Sequence, residues 1–317
     1  MRTGHGETAP PVRTGRVGIV LFGLTVLGLV PWLAYITAFP IAVDAHAYFL
    51  GEYGPAWGTT DAYVYSPAFS QAIEPLRWLG WDGFRTVWRG LELAALAVFA
   101  GPFTGPLLFV RPVALEVNVG NIHLLMAAAI VGGFRWPALW AFVLLTKVTP
   151  GIGILWFVFR REYRKAAIAL GATAAIVCVS FVIAPGDWFA WMRTLAVPSE
   201  APEPFITASL WMRLAAAVAL LWWGRERRWT VLAAAFLALP SIGGVAVAML
   251  VGVLPFAALY ARDRQDVLLE VRGGESAVVV DDHPLVRRSP VEDVAVPSVL
   301  GGGVDVERRT PGGAAVP

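Results

Sequence analysis

Long apolar runs separated by short arginine-bearing loops set the pattern of this chain. The first run covers about 17–39 and is long enough to cross a bilayer. It is longer than a signal h-region and lacks a clear small-residue cleavage site, so it reads as an uncleaved span. Further runs fall at about 66–79, 87–101, 119–133, 136–149, 150–159, 166–184, 208–223, 229–240 and 243–260. They predict an all-α polytopic membrane protein with about ten transmembrane helices. Between 102 and 118 the apolar stretches are too short to cross, and Pro102, Pro106 and Pro112 interrupt them. That stretch predicts a re-entrant or interfacial element on the outer side.

Arginine placement orients the runs. Arg2, Arg13 and Arg16 precede the first run, and Arg77, Arg85 and Arg89 follow the second. Arg135, RREYRK, RERR and ARDR close later runs. Read as cytoplasmic anchors, they put both termini inside and 40–64 outside. Composition agrees with a membrane protein: 57% of residues are hydrophobic, 15% are charged, and the mean hydropathy is +0.63. From about 262 the chain turns to Gly, Pro, Val and mixed charge. Three parts result: a cytoplasmic segment 1–16, a membrane domain 17–260, and a cytoplasmic tail 261–317 expected to be disordered.

The net charge of +2 gives no argument for nucleic acid. One cysteine, Cys178, allows no disulfide framework. The histidines at 5, 46, 123 and 283 have no metal-ligand spacing, and no P-loop, GxGxxG or GxSxG is present. No metal or cofactor is expected.

Sorting charges by side leaves several that insertion does not require. Arg111, Lys147, Arg193 and Arg213 fall at or near the outer face. So do Asp44, His46, Asp61, Glu116, Asn118, Asn121, His123, Asp187, Glu200 and Glu203. Polar groups at membrane depth are costly and mark candidate sites. Plainer roles exist for each: Asp44 as a helix N-cap, Lys147 and the arginines as headgroup anchors, Glu92 as a local partner of Arg89. Cys178 reads as packing.

Short stretches then line up in order. Asp44 follows the first run with Tyr48 four residues on; Tyr63, Tyr65 and Pro67 open the second; Trp88 lies in the third. Gly120, Asn121 and Leu124 form Gly-Asn-x-x-Leu, and Lys147 with Pro150 forms Lys-x-x-Pro before an arginine-rich turn. This order resembles the polyprenol-phosphate-mannose-dependent mannosyltransferases of glycosyltransferase family 87, with their GT-C membrane fold. The resemblance covers about 17–260. It departs at GNIH, where Asn121 and His123 stand in the Gln and Asn positions of the usual Gly-Gln-x-Asn.

The resemblance implies transfer of a hexose, mannose first, from a polyprenyl-phosphate donor to a glycolipid or cell-envelope glycan. The site would face outward from a bacterial cytoplasmic membrane. By position Asp44 is the general base. A sugar hydroxyl is a poor nucleophile that a carboxylate activates. Attack opposite one leaving group inverts the anomeric centre, and the departing phosphate needs cations. Lys147 and Arg111 are the first candidates, with Arg193 and Arg213 behind them. His46, Tyr48, Tyr65, Asn121 and His123 are candidates for sugar or acceptor contacts. A transporter or lipid flippase is the alternative from another class, and a scaffold protein without activity a third. The one-sided polar residues and the lack of internal symmetry favour the enzyme.

Overall fold

The computed structural model describes residues 42–53, 63–196 and 207–257, with single helical positions between Val20 and Ala34. The chain divides into two units, 1–265 and 266–317, and all described residues fall in the first. They are helical, with no strand among them. The segment 1–16, much of the first apolar run, Asp61, Glu200, Glu203 and the tail lie outside the described residues.

Two short helices, α1 (Val43–Leu50) and α2 (Pro67–Arg77), precede α3 (Gly80–Ala100). Ser66 starts α2: its Oγ accepts from Phe69 N–H at 3.3 Å, and Pro67 takes a first-turn position that needs no N–H. The same hydroxyl donates to Leu145 O at 2.6 Å, tying the start of α2 to a distant helix. Eleven residues of α-helix rise only about 16 Å, half of a hydrocarbon core.

The other end of α2 corrects the expected topology. Arg77 was read as the cytoplasmic end of a crossing that leaves from beside Asp44. Its Nε and Nη2 instead donate to Tyr48 O of α1, at 3.1 and 2.8 Å. Ser70 and Glu74 hold the same guanidinium. Thus α2 ends beside α1 instead of leading Arg77 away from it. α3 also starts earlier than the expected 87–101, so Asp82 and Arg85 are helical rather than part of a loop.

Beyond Gly101, α4 (Arg111–Val119) and α5 (His123–Gly133) meet at a bend of 101°. Gly120 makes the bend, with φ +74°. This broken pair replaces the single crossing expected over 119–133. Next come α6 (Trp140–Thr146), a 3₁₀ segment Thr149–Ile154, and α7 (Leu155–Phe159). Then follow α8 (Tyr163–Ile183), α9 (Pro185–Ala196), α10 (Leu210–Trp223), α11 (Trp229–Leu237) and a 3₁₀ segment Gly244–Val253.

Among the described residues α8 alone is long and apolar enough to cross a membrane, or two spans qualify if the bent pair counts as one. The physical reason is punctuation. The expected runs 136–149 and 150–159 hold α-helices of only 7 and 5 residues, each preceded by a 3₁₀ segment with a proline in its first turn, Pro137 or Pro150. On α8, Val182 is 81% and Ile183 66% exposed, an arrangement suited to lipid. Cys178, expected to pack toward lipid or core, is exposed on the same helix.

Candidate active site

α1, the α4–α5 bend and the end of α6 converge on one cluster. Asp44 stands in the first turn of α1, outside the expected spans. It does not cap the helix; Ala42 holds the N-cap position, in a left-handed conformation at φ +32°. Such backbone is costly for a residue with a Cβ and persists where the surroundings enforce it. Here Ala42 N–H donates to Asn118 O at 3.0 Å.

Three links fix α1 against the bend. Ala42 bonds Asn118, Asn121 Nδ2 donates to Asp44 Oδ2 at 2.8 Å, and Ala45 closes on Gly120. A Cβ on Gly120 would lie 2.5 Å from Ala45 Cβ, so only glycine permits the approach. Asn121 Oδ1 accepts from Ile122 N–H at 2.7 Å, which sets the amide orientation. Trp88 Nε1 donates to Gly120 O at 2.9 Å from α3.

Behind Asp44, one turn along α1, Tyr48 is fully buried and shares a 3.0 Å hydrogen bond with the Tyr65 hydroxyl. Its ring meets Trp88 and Phe69 edge-on. The tyrosines thus form the aromatic wall under the acid. His46, two residues from Asp44, faces about 200° away around the helix. Its ring packs edge-on to Trp81 at 4.9 Å.

Across from Asp44 runs a chain of three side chains. Glu116 Oε1 accepts His123 N–H at 2.6 Å, and Oε2 lies 3.0 Å from His123 Nδ1. His123 Nε2 lies 2.8 Å from Lys147 Nζ. Lys147 sits where α6 ends, in extended backbone just before the Pro150 turn, so its side chain leaves the helix toward the bend. Burial raises the Asp44 carboxyl to about 6, Glu116 adds to the rise, and Lys147 and the Asn121 bond oppose it.

The other expected cations are elsewhere. Arg111 is exposed at the start of α4, about 10 Å along the axis from Asn118. Arg193 is exposed on α9. Arg213 is buried, with Nε donating to Ala208 O, Nη1 to Leu237 O and Leu239 O, and Nη2 to Pro240 O. These four contacts to carbonyls clamp α10 to the end of α11, apart from the cluster around Asp44 and Lys147.

Arg89 also differs from expectation. It donates to Asn118 O and Oδ1, both at 3.2 Å, and leaves the fully buried Glu92 carboxyl group without a hydrogen-bond partner among the described residues. Glu116, counted among the outer-face polar residues, had no role assigned from sequence. An acid within apolar positions of α4, seven residues before His123, was the available signal. A charged cavity of about 190 Å³ between Arg160, Lys165 and Arg228 shares no residue with this cluster.

The model of glycosyltransferase family 87 matches residues 63–280, more than half of the chain. The chain belongs to glycosyltransferase family 87. No curated protein and no solved structure matches it. As a family 87 member it is a membrane glycosyltransferase and works on a sugar donor and an acceptor. The family decides against the transporter considered from the sequence. Its match holds Asn121, His123 and Lys147, whereas Asp44 lies upstream and joins them through the Asn121 bond.

Proposed function

We propose that this family 87 enzyme moves a hexose, mannose first, from a polyprenyl-phosphate donor to a lipid or glycan acceptor, with inversion. One observation carries the reading: a carboxylate, Asp44, and an ammonium, Lys147, are held at one site by Asn121 and by the Glu116–His123 pair. Those are the two charges that the reaction needs.

Asn121 holds Oδ2 of Asp44, and Oδ1 receives the proton of the acceptor hydroxyl. The acceptor oxygen bonds the anomeric carbon as the bond from that carbon to the phosphate oxygen breaks. The phosphate leaves with that electron pair, and Lys147 balances its charge. A stable phosphate anion needs no general acid. Tyr48 and Tyr65 support α1 from behind. Arg111 and Arg193, both exposed, suit lipid phosphates at the membrane surface.

The same reading covers the architecture. We assign a GT-C-like multi-pass domain in a bacterial cytoplasmic membrane, its site facing outward, with α1 and α2 on the outer side before α3 enters the bilayer. Arg77 on Tyr48 O supports that placement of α2.

The test is transfer of labelled mannose from a polyprenyl-phosphate donor by membranes carrying the protein. Transfer lost in Asp44→Asn at equal protein level supports the reading. Equal transfer by that variant sinks the base assignment, and no transfer by wild type from any polyprenyl-phosphate sugar sinks the donor.

A further inference from the structure

Glu116, His123 and Lys147 dictate one another's protons. Glu116 is fully buried, and both of its oxygens face His123, one toward the backbone N–H and one toward Nδ1. A carboxylate is acceptor-only, so Nδ1 carries a hydrogen. On the far side of the ring, Lys147 Nζ lies 2.8 Å from Nε2. An ammonium has three donors and no acceptor, so Nε2 presents its lone pair. The other proton arrangement, an imidazolium beside a neutral amine, is disfavoured. In water an ammonium holds its proton more tightly than an imidazolium by about 4 pKa units.

Both ring nitrogens are therefore taken by protein partners. That leaves His123 no nitrogen for a sugar oxygen, the role its place in the motif suggested. Lys147 gives one N–H to the ring and keeps two for a ligand. A lysine on a flexible stem is a poorly aimed charge, and a fixed acceptor turns it into a preorganised donor.

We infer that Glu116 and His123 are positioning residues: through a His123 Nδ1–H tautomer they aim the Lys147 ammonium at the phosphate of the lipid-linked donor. The inference rests on the reading of Lys147 as the phosphate ligand. It explains why a fully buried acid stands in α4, and why the residue at the Asn position of the motif is a histidine in this chain.

Two measurements on the full-length protein in nanodiscs test it. In ¹⁵N spectra, the signals lost in His123→Asn should show a protonated Nδ1 and a bare Nε2. An Nε2-protonated ring or an imidazolium overturns the positioning role alone. The second is farnesyl phosphate affinity in a double-mutant cycle. Glu116→Gln and Lys147→Met should each weaken binding about tenfold, with less than about twofold further loss when combined. A merely structural Glu116 would give the same loss in both backgrounds, and that additivity overturns the inference. Wild-type protein that binds no farnesyl phosphate sinks the donor site and the inference together.

Discussion

Asn121 Nδ2 lies 2.8 Å from Asp44 Oδ2, a hydrogen bond that spans 77 residues of sequence. It joins the acid after the first apolar run to the bend between α4 and α5. The amide leaves one carboxylate oxygen for a substrate proton and keeps the acid from rotating. A positioned base contributes about 10²- to 10⁴-fold. Asp44→Asn should therefore lower kcat for mannose transfer by that range with little change in protein level, measured in membranes with labelled donor. Activity within a few-fold of wild type would remove Asp44 from the chemistry.

The acid limb of the pH profile follows from the same carboxyl. Burial lifts Asp44 to about 6, and only the ionised form accepts a proton. Transfer should be level above that pH and fall tenfold per unit well below it. Lys147 opposes the rise, so Lys147→Met should move the limb to higher pH as well as weaken the donor. A limb that stays in place in the variant would show that the two charges do not sense each other.

Gly120→Ala tests the close approach of α1 to the bend. The added Cβ would meet Ala45 at 2.5 Å, at a φ of +74° that alanine adopts at a cost of about 1–2 kcal/mol. The variant should insert, lose most transfer activity, and melt at a lower temperature. Wild-type kcat in Gly120→Ala would mean that the Ala45 contact does not set the position of Asp44.

Arg213→Met should act on stability and not on the donor. It strips four donor contacts from carbonyls, of which the one to Leu239 O is buried, and a buried acceptor left unsatisfied costs about 1–3 kcal/mol. The expected result is a clear drop in melting temperature with an unchanged donor KM in the folded fraction. A raised KM at unchanged stability would return Arg213 to the phosphate site.

Cysteines placed at Glu52 and Trp78, both exposed, should react with a membrane-impermeant maleimide from the same face. The contact of Arg77 with Tyr48 requires it. Labelling from opposite faces would restore the crossing that the arginine pattern suggested.

Much of this protein was legible in sequence order alone. Apolar runs and composition determine a helical membrane chain, because burying backbone in lipid demands helices. The order of Asp44 and Tyr48, of Tyr63, Tyr65 and Pro67, of Trp88, of Gly120, Asn121 and Leu124, and of Lys147 and Pro150 carried the family resemblance. Charge counting does not foresee the partners of Arg77 and Arg213, because an arginine chooses its partner in space, and here the partners are carbonyls of Tyr48 and of the end of α11 and the residues after it. Hydropathy did not reveal the bend at Gly120 or the 3₁₀ segments at Pro137 and Pro150, since a window average does not register one residue's backbone geometry. The tertiary structure alone decided that Glu116 faces His123 and His123 faces Lys147. Periodicity places a residue on a helix face. Which protons it shares depends on what the fold sets against that face.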